Sequence, residues 1–214
     1  MKKAVRHYPL WLRIWHWSNA LLFLTLVVTG FQMHCYSSGF RLMDFQTSFT
    51  IHNAAGILLV AFYLLFILGN LFLGNGRFYL IKREDIWPGI LNQAIFYLNG
   101  IFLGRPHPYP ASEDRKFNPI QKLTYLGVGL LFLPAIIITG LALLFPDLAP
   151  AGLMGMPGLA FWAVAHACLG YFAIIFIVGH MYLATTGHTL SELYLMMLLG
   201  DEAGHKKEGA AAHQ

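Results

Sequence analysis

The chain has 214 residues, 57% of them hydrophobic and only 11% charged, with a mean hydropathy of +0.57. A soluble globular domain carries about 25% charged residues, so this composition argues against one. The net charge of +4 and a pI near 9.1 would suit a polyanionic partner such as nucleic acid, but the charges are placed as membrane topology places them, and no such partner is expected.

Four apolar runs, roughly 11–33, 49–73, 120–146 and 158–184, are each close to the ~20 residues needed to cross a hydrocarbon core. They predict an all-α integral membrane protein, a four-transmembrane-helix bundle forming one domain over residues 1–200. "MKK" before the first run imitates a signal peptide. Arg13 and His16 interrupt its start and "VTGFQMH" offers no small-residue cleavage site, so a retained helix is expected. Between the second and third runs, "REDIWPGILNQAIFYLNGIFLG" (83–104) is amphipathic in parts and broken by Pro88 and Gly89. It reads as one or two short helices lying against the cytoplasmic face. "RPHPYPASEDRKFNP" follows with four prolines and reads as a loop. The last stretch, 201–214, is small and polar and reads as a disordered cytoplasmic tail.

Of the fourteen basic residues, Arg41 alone follows the first span before the second begins, and none falls within 146–160. Lys2, Lys3, Arg6 and Arg13 precede or open the first span. Arg77, Lys82, Arg83, Arg105, Arg115, Lys116 and Lys122 lie around the second connection, and Lys206 and Lys207 in the tail. This positive-inside asymmetry puts both termini in the cytoplasm. Cys35 and Cys168 form no CxxC or CxxCH pair, which argues against covalent c-type haem and against a cysteine-rich zinc or iron–sulfur site. Cys168 reads as a small packing residue.

Histidine within a span is costly and often functional, although a lone one is equally well read as a packed residue bonded to a neighbouring carbonyl. Here there are four. His166 and His180 are fourteen residues apart in the last run. That interval is about 21 Å of rise and about 1400° of rotation, some 40° short of four turns, so both lie on one helical face at two depths. His16 opens the first span at the inner depth, and His52 opens the second at the outer depth. The natural pairs are His16 with His180 and His52 with His166. Four ligands split across ~21 Å cannot surround one zinc ion. A haem iron needs only one imidazole on each side of the porphyrin, and a helix bundle can hold the macrocycle.

Gly56 and Gly170 each lie one turn beyond an outer histidine, and Gly30 lies at the outer depth on the first helix. Two readings stand for these glycines: room for a porphyrin, or close helix packing. His34, eighteen residues after His16, reads as a rim residue with outer ligation as the alternative. His7, His107, His188, His205 and His213 are expected to be solvated. A faint repeat joins "LVVTGF" to "IIITGL" and "HNAAG" to "HACLG", compatible with two similar helical hairpins.

With "RIWHWSNALLFLTLVVTG", "IHNAAGILL", "KFNPIQKLTY" and "HACLGYFAIIFIVGHMYLATTGHT", the chain resembles the four-helix di-haem cytochrome b subunits of bacterial membrane oxidoreductases over residues 6–200. These include the formate dehydrogenase gamma subunit, thiosulfate reductase cytochrome b and, more distantly, bacterial cytochrome b561. The resemblance implies two haem b groups, the inner on His16 and His180 and the outer on His52 and His166. It also implies a quinone as exchangeable substrate near Asn118 and Gln121, whose amides can hydrogen-bond a quinone carbonyl. Asn118 and Pro119 fit equally well as the N-cap and first residue of a helix. Ile120 stands where the gamma subunits have glycine.

The function expected is transfer of electrons across the bacterial inner membrane, between a periplasmic iron–sulfur or other redox subunit and the quinone pool. No catalytic residue is assigned on this chain, which carries no dinucleotide-binding fingerprint, phosphate loop or triad. A stand-alone quinol oxidoreductase of the cytochrome b561 type is the alternative. A transporter relaying protons through histidines is disfavoured, because no Asp or Glu lies in the core of a span.

Overall fold

The computed structural model describes residues 8–110, 115–185 and 191–200. The expected tail 201–214 and His7, His188, His205 and His213 lie outside them. Among the described residues there are four helical spans: Leu10–His34 (α1), Phe45–Phe72 (α2), Pro119–Leu144, and Gly158–Ala184 (α6). Each is long enough to cross a bilayer, and many of their large apolar side chains point outward. Leu21, Leu65 and Ile175 are all more than half exposed, which lipid tolerates because its tails are as apolar as leucine.

The described residues fall into two compact units. One comprises Trp15–Ile67 and Gly129–Gly179; the other takes in the described parts of Met1–Ile14, Leu68–Val128 and His180–Gln214. In the first unit, α2 begins four residues earlier than the apolar run suggests. Asp44 supplies its cap, accepting the Thr47 amide at 2.8 Å. Gln32, fully buried near the end of α1, fixes the connection: its Nε2 donates to the Met43 carbonyl at 3.1 Å and its Oε1 accepts the Leu42 amide at 2.7 Å. Before α6, Gly152–Leu153 (β1) and Met156–Pro157 (β2) pair as a minimal antiparallel hairpin. Met154 and Gly155 at its tip both have positive φ, 51° and 78°, as a tight two-residue turn requires. A Cβ on Gly158 would sit 2.0 Å from the Pro150 carbonyl oxygen, so only glycine allows this entry into α6.

The third span is two helices, Pro119–Gly127 (α4) and Leu133–Leu144 (α5), joined by a π-helical turn at Val128–Phe132. Pro134 explains the irregularity, since it has no amide hydrogen to return to the preceding turn. In the π register its partner would be the Gly129 carbonyl. That carbonyl instead accepts the Tyr63 hydroxyl of α2 at 2.9 Å. In hydrocarbon, a backbone oxygen needs such a substitute donor.

In the second unit, the segment after α2 forms the expected short helices. A π turn at Asp85–Gly89 contains extended Trp87 just before Pro88, and is followed by Ile90–Ile95 (α3) and a second π turn at Phe96–Gly100. Its amphipathicity is inverted. Asp85 and Gln93 are buried, whereas Trp87, Leu91, Ile95, Leu98 and Phe102 are exposed. An outward apolar stripe is the pattern of a segment resting in the bilayer interface. A short last helix, Glu192–Leu199 (α7), is held by the Arg13 guanidinium, which donates to the Leu198 carbonyl, and by the Tyr194 hydroxyl, which donates to the Met181 carbonyl at 3.0 Å.

The buried charge in this unit is paired. Lys122 Nζ donates to Asp85 Oδ2 at 2.7 Å, with side-chain exposures of 6% and 2%, and the same oxygen accepts the Lys82 amide at 2.8 Å. Burial alone would raise the Asp85 pKa, but the hydrogen bond from Lys122 and then that from Lys82 outweigh it and hold the carboxyl below its usual value. Removing one partner strands the other charge. Asp85→Asn and Lys122→Met are each expected to cost about 3–5 kcal/mol, while the double replacement Asp85→Leu, Lys122→Met costs less than their sum. Thermal unfolding in detergent measures both. A depressed carboxyl stabilises the fold above its unfolded pKa, so the contribution is complete above about pH 4 and fades as pH falls through the lowered folded value.

Candidate haem site

Within the unit formed by Trp15–Ile67 and Gly129–Gly179, two of the four span histidines come together. The rings of His52 on α2 and His166 on α6 have centroids 6.1 Å apart and planes 84° from parallel. Each is backed by a threonine–glycine pair on its partner helix. Thr29 Oγ1 on α1 lies 2.9 Å from His52 Nδ1, and Thr139 Oγ1 on α5 lies 2.9 Å from His166 Nδ1. The next residue is glycine in both cases. A Cβ on Gly30 would sit 3.2 Å from His52 Cε1, and one on Gly140 would sit 3.1 Å from His166 Cε1. The faint repeat in the sequence is therefore a structural one: "TG" on one helix seats a histidine on the next, twice.

Gly30 gives space to the imidazole. Gly56 and Gly170 differ from it, since a Cβ at either would meet nothing within 4 Å, and these two leave open space beside the histidines. His34 is at the exposed rim, edge-on to Tyr171 at 5.6 Å. Cys168 is exposed on α6 and not the packing residue expected, because its position on the helix turns outward to where lipid lies. His16 is edge-on to Trp17 at 5.3 Å. Beside it, Trp15 donates to the Phe62 carbonyl at 2.8 Å and stacks on Phe66 at 4.2 Å, anchoring this stretch of α1 to α2. His180 lies on α6, which continues unbroken from His166, and belongs to the other unit.

The second polar cluster, in that other unit, surrounds Asn118. Asn118 Oδ1 accepts the Gln121 amide at 2.9 Å and Gln121 Oε1 accepts the Asn118 amide at 3.0 Å, a complete capping box with Pro119 in the first turn. Asn118 Nδ2 donates to the Tyr97 hydroxyl at 2.9 Å. Burial pushes the Tyr97 pKa up, so this phenol stays protonated. The cap reading of Asn118 is realised, and the Gln121 amide nitrogen lies outside the box. His107, expected to be solvated, is instead packed on Phe96 at 4.8 Å, with Nδ1 accepting the Tyr109 amide at 3.1 Å. The prolines flanking it, Pro106 and Pro108, stiffen the loop that turns it inward. Tyr97, Gln93, Thr29, Thr139 and Gly140 had no motif of their own in the sequence. Only the repeat pointed at the last three.

A family model described as prokaryotic cytochrome b561 matches residues 7–200. Escherichia coli (strain K12) YdhU, a protein provisionally named as a cytochrome, is 38% identical over 189 residues, which are 88% of this chain and 70% of that protein. The chain belongs to the prokaryotic cytochrome b561 family. It is accordingly a multi-pass membrane cytochrome that binds haem b and transfers electrons.

The His52–His166 geometry fits that cofactor. Two imidazoles on one iron, with metal–nitrogen distances of about 2.0 Å, have ring centres about 6.3 Å apart, against the 6.1 Å found here. Replacing Gly140 or Gly30 of this b561-family cytochrome by valine is expected to push the facing ring off its seat and lose haem from this site. Haem content per chain, read from the reduced-minus-oxidised spectrum, checks it; full retention in both variants contradicts it.

Proposed function

We propose that this cytochrome carries two haem b groups and moves electrons across the bacterial inner membrane between a periplasmic redox subunit and the quinone pool. The observation that carries the proposal is the His52–His166 pair at bis-imidazole separation, with His180 fourteen residues beyond His166 on α6. That interval is about 21 Å of rise and returns nearly to the same face. From their depth in the sequence, His16 and His180 are proposed as the ligands of the second, inner haem. Each haem contributes reversible one-electron storage, which no side chain here provides.

The remaining work falls to the protein's own residues. His52, His166, His16 and His180 bind and orient the two groups, and the apolar spans keep bulk water away from them. Lys and Arg concentrated in the 77–122 connection favour the orientation with both termini in the cytoplasm and the inner pair near that face. The quinone site is proposed beside Asn118 and Gln121. The capping box holds the start of α4, and the Gln121 amide nitrogen is available to donate to a quinone carbonyl. The donor or acceptor protein is proposed to be a periplasmic iron–sulfur or other redox subunit carrying the terminal chemistry. The family's description as cytochrome b561 favours a second reading, a stand-alone quinol oxidoreductase with the same haem wire and no large partner.

Purified protein is expected to contain about two haems per chain with a b-type spectrum. His180→Ala should halve the haem content and abolish electron exchange with added quinol while sparing the site at His52 and His166. A variant that keeps both haems, or one that loses the outer haem in place of the inner, contradicts the pairing.

A further inference from the structure

Resting on the reading of His52 and His166 as the two ligands of one haem, we infer that Thr29 and Thr139 are positioning residues that fix the tautomer of these ligands and set the redox potential of the haem they hold. A threonine hydroxyl has one proton to give. Thr29 Oγ1 gives it to the carbonyls of its own helix, at 2.7 Å from Thr25 O and 3.3 Å from Leu26 O. Thr139 Oγ1 does the same, at 3.0 Å from both Ala135 O and Ile136 O. With that proton committed, each oxygen can only accept from the histidine nitrogen 2.9 Å away. Each threonine oxygen therefore calls for a proton on Nδ1, and the neutral ring then presents a bare Nε2 lone pair.

The same construction appears twice, on α1 facing α2 and on α5 facing α6, with the same offsets: acceptor carbonyls four and three residues before the threonine, glycine immediately after. Thr29 is 2% exposed and Thr139 6%, so no water competes for the bond. An imidazole that donates through Nδ1 is a more basic ligand at Nε2 and favours the oxidised iron. The two threonines thus hold the potential of this haem below the value that unassisted imidazoles would give it.

The test uses the haem-loaded protein and potentiometric titration followed through the visible spectrum. Thr29→Val and Thr139→Val should each retain haem at the His52–His166 site and raise its midpoint potential. The double variant should shift it further, the inner haem should stay where it was, and Thr→Ser at either position should restore the wild-type midpoint. Haem retained with an unmoved midpoint in the double valine variant overturns the inference while leaving the ligand reading intact. His52→Ala and His166→Ala separate the two claims: if neither removes or alters a haem, the ligand reading itself fails. Should a valine variant lose its haem, the serine and alanine variants decide. A serine midpoint equal to wild type with a raised alanine midpoint supports the hydroxyl's role, and equal shifts in both overturn it.

Discussion

A polar nitrogen or oxygen carried into hydrocarbon must find a partner within the protein, and that requirement organises the parts of this structure that matter. His52 and His166 each have Nδ1 2.9 Å from a threonine oxygen that also lies within hydrogen-bond distance of carbonyls of its own helix. Nε2 is the nitrogen left on each ring, and one ligand that suits two such rings 6.1 Å apart by centroid is an iron-centred macrocycle. On the proposed reading of these two residues as ligands, the polar cost of placing imidazole in a membrane is converted into a binding geometry.

The same requirement accounts for features remote from the histidines. Pro134 leaves a carbonyl without its amide, and Tyr63 fills the position from a neighbouring helix. Asp85 and Lys122 enter the protein together and not singly. Gln32 uses both ends of its amide to close the first connection, and Asn118 uses both ends of its own to start α4 and bind Tyr97. None of these contacts need contribute much net stability. Each removes a penalty that would otherwise exclude the residue from its place.

The spans were legible because twenty-residue apolar runs admit few alternatives in water, and the match of His52 to His166 was legible because helical rise and rotation are fixed numbers. The His52–His166 pairing followed from depth alone, and the structure brings those rings together. Thr29 and Thr139 were not legible as histidine partners, since threonine in an apolar helix is unremarkable until its neighbour is known. The "TG" repeat was visible, but only the structure gives it a purpose. Gly30 was left between room for a porphyrin and close helix packing, and its 3.2 Å approach to His52 favours packing, which a sequence cannot decide because it gives a residue's level and not what crosses there. The inverted segment at 85–103 was half legible: its breaks at Pro88 and Gly89 could be read, but which face points outward depends on Asp85 finding Lys122, thirty-seven residues away.

The central claim is that His52 and His166 ligate the same iron, and electron paramagnetic resonance of the oxidised protein tests it most directly. Two imidazole planes 84° apart would donate almost equally into the two π-type d orbitals of a bound iron. Those orbitals would be left nearly degenerate, which would produce a strongly anisotropic low-spin signal. The account predicts that signal in the wild type and its loss from one and the same haem in His52→Ala and in His166→Ala. Disappearance of different haem signals in the two variants, or survival of the signal in either, would contradict it.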